Sequence, residues 1–196
     1  MMNAQQHKSQ RGAFAVEFAI VFPVVLLLLF GIIELARLMY MFNTLQDSTR
    51  RAAFLASVTD YRNQPAMNLV RQQAIFRTSA GELVLGAPIT DRHIQIDYLA
   101  LVRNADSSQT LTPIPAGAMP TCPARNRVTC TGNPNDPHCV RFVRVRVCYP
   151  GSGTDCQPVA YQPLFGLFPS GTTLPVSTTI VAVETLGYTP GSMPCP

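Results

Sequence analysis

At 196 residues the chain has room for one domain and a membrane segment, and hardly for two full domains. Hydrophobic residues make up 47% of it and charged residues 13%, about half the charged share of a soluble globular chain, which argues against a molecule bathed entirely in water. The net charge of +4 is carried by scattered residues such as Lys8, Arg11, Arg37, Arg50, Arg51, Arg62 and Arg71, with no basic stripe interleaved with aromatics, so no nucleic-acid partner is expected.

Residues 1–12 form a short basic leader. Residues 13–33 are then 21 consecutive positions with one charge, Glu17. At 1.5 Å per residue such a helix covers about the 30 Å hydrocarbon core of a bilayer. A cleaved secretory signal peptide fits poorly, because the run is too long and no small-residue cleavage site follows Ile33. Glu34-Leu35-Ala36-Arg37-Leu38-Met39 instead continues a helix. Leu35, Leu38, Met39, Phe42, Leu45, Ala52, Leu55 and Ala56 recur at helical spacing, which predicts an apolar stripe to about residue 58. The whole rod would be on the order of 70 Å long. Pro23 removes a backbone hydrogen bond in mid-span, which predicts a kink.

Glu17 stands out, since a carboxylate inside an apolar span costs a few kcal/mol unless it lies near an end or finds a partner. It has two readings from position alone. Either the helix N-terminus and interfacial water stabilise it, or it pairs with a positive charge such as a neighbouring subunit's N-terminal amine.

The run Gly12-Ala13-Phe14-Ala15-Val16-Glu17-Phe18 resembles a type IVb prepilin processing site: basic leader, glycine, four residues, glutamate, aromatic. Extended through Ala19, Pro23, Leu28, Gly31, Glu34 and Arg37, it is similar to TadE-like proteins, minor pseudopilins of the tight-adherence (Flp pilus) system. The resemblance covers residues 12 to about 58 and does not foretell a cysteine-rich C-terminal region. It implies cleavage between Gly12 and Ala13 by a membrane-embedded prepilin peptidase whose cleft takes an extended backbone without a side chain. It also implies that Glu17, with Phe18 and Pro23, belongs to an assembly motif, that Gly31, Glu34 and Arg37 form a helix motif, and that other pilins are partners.

Positive-inside counting does not orient the span, because Lys8 and Arg11 precede it and Arg37, Arg50 and Arg51 follow it. The cysteines do better. Cys122, Cys130, Cys139, Cys148, Cys156 and Cys195 all lie in the second half, and an even set in a Pro-rich region reads as a disulfide framework that needs an oxidising compartment. This puts residues 34–60 and the head at 61–196 in the periplasm, the leader in the cytoplasm and the anchor in a bacterial inner membrane. Six cysteines allow 15 connectivities, and the spacing does not choose among them. His138-Cys139 invites a metal reading, but no C-x-x-C pair is present to form a zinc knuckle, so no metal is expected.

Within 61–196, Asn63-Gln64-Pro65 predicts a helix start, with the helix running to about residue 80 and ended by Gly81, Gly86 and Pro88. Residues 94–102, 140–149 and 174–186 read as strands. The stretch 103–139 reads as an irregular Cys- and Pro-rich loop held by its cysteines. The expected fold class is α+β: a long N-terminal transmembrane and amphipathic helix, plus a second helix packed on a small antiparallel sheet, pilin-like, with a disulfide-stapled C-terminal region.

No nucleophile elbow, phosphate loop, dinucleotide fingerprint or zinc-protease motif occurs, and no cofactor is expected. His93 near Asp91 and Asp97 is the nearest thing to an acid–base group, and such a cluster around a turn is more often a solvated surface. The sequence therefore points to a minor pilin or pseudopilin of a type IVb Flp pilus or tight-adherence secretion apparatus, not an enzyme. The alternative is an unprocessed membrane-tethered periplasmic binding module.

Overall fold

The computed structural model describes residues 10–153, 155–166 and 171–191. The chain divides into two compact units, Met1–Tyr40 with Pro163–Ser170, and Met41–Gln162 with Gly171–Pro196. Helix α1 (Gln10–Val58) is 49 residues long and runs through Pro23 without a break.

In the first unit α1 is apolar on every side. Phe14, Phe18, Ile20, Val24, Leu28 and Ile32 are all exposed, which water would not tolerate and lipid would. The helix is long and apolar enough to cross a membrane. Leu35 and Met39, read from the sequence as part of an apolar stripe, are 48% and 57% exposed. The covered residues at this level are charged ones, Glu34 and Arg37.

In the second unit α1 buries Met41, Leu45, Ser48, Thr49, Ala52, Ala53, Ala56 and Ser57, spaced by threes and fours as one helical face requires. Most of these are small. Helix and sheet therefore approach closely, and the Thr49 hydroxyl reaches Ser177 Oγ at 3.1 Å and Thr179 Oγ1 at 2.9 Å. Phe42 and Leu55, which the sequence placed on the stripe, flank this face and are only half-buried.

The sheet has four antiparallel strands in the order β2-β1-β3-β4. They are β1 (Ile94–Arg103), β2 (Gln109–Pro113), β3 (Phe142–Val147) and β4 (Thr178–Ala182). Register pairs Ile96 with Val145 and Asp97 with Arg144. Val143, Val145 and Val147 are buried while Arg144 and Arg146 alternate onto the other face, as the period-two pattern predicts. There Asp97 Oδ2 accepts from Arg144 Nη2 at 3.0 Å and Arg146 Nη2 at 2.8 Å. Burial of side chains such as Leu99, Ile94 and Val143 contributes about 1.5–3 kcal/mol each.

Helix α2 (Gln64–Ala74) starts where expected: Asn63 Oδ1 accepts the Ala66 N–H and Pro65 lies in the first turn. Met67, Val70 and Ala74 face inward, and the Tyr98 hydroxyl donates to Met67 Sδ at 3.6 Å, joining α2 to β1. The helix stops at Ala74, six positions short of the expected residue 80. Phe76 takes a left-handed conformation (φ 59°). The Arg77 and Phe76 amides turn back onto the Gln72 and Gln73 carbonyls. This is a Schellman close, made with phenylalanine where glycine is usual.

The stretch 103–139 is not the irregular loop the prolines suggested. It holds β2, the hairpin partner of β1, and helix α3 (Pro123–Gly132). The expected strand at 174–186 is likewise reduced to five residues of β4. Beyond it the Glu184 and Leu186 amides turn away to the Ser57 carbonyl at the end of α1. Gly187 (φ 78°) then passes so close to Asp60 that a Cβ would lie 2.7 Å from its backbone nitrogen.

Two disulfides fasten this region, Cys130–Cys139 and Cys148–Cys156. Cys122 is disulfide-bonded as well, and Cys195 lies outside the described residues. Asn126 on α3 donates to the Val140 carbonyl at 3.1 Å and accepts the Val140 N–H at 2.8 Å, doing for the approach to β3 what a paired strand would do.

Candidate assembly and processing site

The residues singled out by the prepilin pattern all lie on α1. Gly12 and Ala13 fall inside the helix, which begins at Gln10; side chains before Phe14 lie outside the described residues. A protease that grips an extended backbone must therefore unwind the first turns of α1. Glu17 lies nearly two turns in, beyond the reach of the helix N-terminal field, which falls off within the first turn. Its carboxylate is exposed and makes no hydrogen bond or ion pair among the described residues. Loss of residues 1–12 would make Glu17 the fifth residue of the chain. Phe18 stacks on Phe22 one turn later, with ring centroids 5.3 Å apart, and Pro23 follows.

The second cluster behaves differently. Gly31 has open space where a Cβ would stand. Glu34, one helical turn on, is only 1% exposed. Both its carboxylate oxygens accept the Leu164 backbone N–H, at 3.3 and 3.0 Å, and Oε1 lies 3.8 Å from Arg37 Nη1. Phe30 stacks on Phe165 with centroids 4.6 Å apart and planes inclined by 28°. Sequence reasoning found Glu34 and Arg37 but not their partners at 163–166. An apolar Pro-Leu-Phe-Gly run far along the chain was the available signal.

The groups that suggested acid–base or metal chemistry are each engaged in holding local structure. Asp91 Oδ1 accepts the Gly81 N–H, and Asp97 holds the two arginines. His93 Nδ1 accepts the Thr90 N–H at 3.0 Å, which places the proton of the neutral ring on Nε2. Burial holds its pKa below the usual 6.5 against the opposing pull of the Thr90 contact and Asp91. His138 meets Asp136 at 3.1 Å while its neighbour Cys139 is in a disulfide. Among the described residues no group of three or more His, Cys, Asp or Glu is placed to hold a metal ion.

Residues 12–53 match the family of TadE-like proteins. The N-terminal helix is TadE-like. The match begins at Gly12, takes in Glu17, Phe18, Pro23, Gly31, Glu34 and Arg37, and ends before α1 does at Val58. The TadE-like family is a pilus-associated, structural family of pilin-like proteins. No curated protein and no solved structure matches the chain, so the TadE-like segment is where the comparisons bear on function.

Proposed function

We propose that this protein is a minor pilin or pseudopilin serving assembly of a type IVb Flp pilus or tight-adherence secretion apparatus. Residues 13–33 hold it in the bacterial inner membrane, with the leader in the cytoplasm and the disulfide-bearing C-terminal region in the periplasm. A prepilin peptidase cuts between Gly12 and Ala13. Glu17 then becomes the fifth residue, where its carboxylate is placed to pair with a neighbouring subunit's N-terminal amine as helices move from lipid into a bundle. Pairing offsets the cost of carrying that carboxylate into an apolar environment. The subunit works by assembly, not by catalysis.

The observation that carries this reading is Glu17, exposed and unpaired among the described residues, set five positions past Gly12 on a TadE-like helix. The test compares the chain in bacteria with and without an active prepilin peptidase, alongside Gly12→Ala and Glu17→Ala. A peptidase-dependent loss of the leader, blocked in Gly12→Ala, with processing kept but assembly lost in Glu17→Ala, is the expected pattern. A leader retained in the presence of the peptidase would instead favour a tethered periplasmic binding module.

A further inference from the structure

Residues 163–166 belong to the same compact unit as the apolar half of α1, although the chain on either side of Pro163–Ser170 belongs to the other unit. The run Pro163-Leu164-Phe165-Gly166 has no polar or charged side chain. It would be expected to tuck into a core. Leu164 is instead 57% exposed, and Phe165 has its ring against Phe30.

The level of that contact along α1 is informative. Phe30 is three residues inside the apolar run that ends at Ile33, so its ring lies about 4–5 Å within the span at 1.5 Å per residue. Leu164 is held at Glu34, the first residue past the run. The loop therefore lies against the last turn of the membrane helix, at the depth where interfacial apolar groups are buried, roughly 5–10 Å into the headgroup and acyl boundary. A backbone amide at the edge of the hydrocarbon has few water partners, and an acceptor supplied by the protein stabilises it there. Glu34 supplies that acceptor for Leu164 and is itself shielded from solvent.

We infer that the loop at Leu164-Phe165 is a second membrane contact, inserted into the periplasmic leaflet beside α1 and fastened there by Glu34 and Phe30. This rests on residues 13–33 spanning the bilayer. The occupant of the exposed Leu164 face is lipid, because the loop continues the apolar surface of the span itself: Leu28, Ile32 and Leu35 are exposed at the same level of α1. The consequence is a subunit whose C-terminal region is tied to the membrane at two points of the sequence, so that leaving the bilayer for a filament requires withdrawing the loop as well as the helix.

The chain contains no tryptophan, so single substitutions report depth without background. Full-length Phe165→Trp, Leu164→Trp and Phe22→Trp would be placed in phosphatidylethanolamine–phosphatidylglycerol vesicles. Some vesicles carry lipids brominated near the headgroup end of the acyl chain, others near its terminus. Quenching of Phe165→Trp and Leu164→Trp by the shallow bromines, with blue-shifted emission and little quenching by aqueous acrylamide, is the expected result. Acrylamide quenching without lipid quenching, while Phe22→Trp is quenched by the deep bromines, would overturn the inference and leave the anchor intact. Blue-shifted emission that neither agent quenches would also overturn it, because protein and not lipid would then cover the loop. Failure of Phe22→Trp to be quenched by any brominated lipid would overturn the spanning helix itself.

Discussion

The carboxylate of Glu34 accepts the backbone N–H of Leu164 across 130 positions of sequence, with both oxygens within 3.3 Å of the nitrogen. A hydrogen bond to a charged acceptor is worth about 1.5–3 kcal/mol. Glu34→Ala should therefore accelerate hydrogen exchange at the Leu164 amide by roughly ten- to a hundred-fold. Glu34→Gln, which keeps an acceptor, should fall between. Exchange mass spectrometry of the full chain in detergent reads this directly, and an unchanged Leu164 amide in Glu34→Ala would contradict the contact.

Asn126 is a second such clasp, pairing both backbone groups of Val140 from within the core of the second unit. Replacing it by alanine leaves a buried donor and a buried acceptor without their partner. The expected loss is about 2–3 kcal/mol, read as a lowered denaturation midpoint with the disulfides intact.

The Cys130–Cys139 and Cys148–Cys156 bonds close short loops, with sequence separations of 9 and 8. Chain-entropy arguments give each about 2–3 kcal/mol. Serine at both members of either pair should lower stability by that amount. Peptide mapping of the unreduced chain should return both linkages.

Gly187 and Gly31 make opposite predictions. At Gly187 a side chain meets the Asp60 backbone at 2.7 Å and a φ of 78°, so Gly187→Ala should cost about 1–3 kcal/mol. Gly31 has nothing within 4 Å of a Cβ, so Gly31→Ala should leave the isolated subunit's stability unchanged or slightly raised.

Stability should also fall in mild acid through His93. Its folded pKa is held below 6.5 by burial. As pH drops through about 6.5 the unfolded imidazole binds a proton while the folded one resists. The contribution of His93 is therefore fully present above that pH and is lost towards the lower folded pKa. Denaturation at pH 8 and pH 5 should show the loss, and His93→Gln should reduce the difference.

Much of this architecture was legible because single physical rules dominate it. Residues 13–33 are apolar beyond anything a soluble helix needs, and the alternation of Val143, Arg144, Val145 and Arg146 fixes which face of β3 is buried. Where rules competed, reading failed. Six prolines and three cysteines between 103 and 139 masked α3, although Cys122-Pro123 is a capped helix start. Asn104-Ala105-Asp106-Ser107-Ser108 was an overlooked hairpin turn, with Ser107 at φ 67° and the Asn104 and Ser108 backbones bonded. The stripe on α1 was read at Leu45, Ala52 and Ala56, which are buried, but not at Met41, Ser48, Thr49, Ala53 and Ser57. Contact with a nearby sheet selects small residues, and among these Ser48, Thr49 and Ser57 are polar ones that apolar periodicity passes over. The engagement of Glu34 with Leu164 was not legible, since the apolar run at 163–166 does not say which distant residue it meets.

The N-terminus of the mature chain separates a processed pilin from an unprocessed membrane-tethered module. Intact mass and N-terminal sequencing of the protein taken from its native membrane should give a mature chain beginning at Ala13, without residues 1–12. A chain that still carries its leader, in cells whose prepilin peptidase is active on other pilins, would contradict the pilin reading.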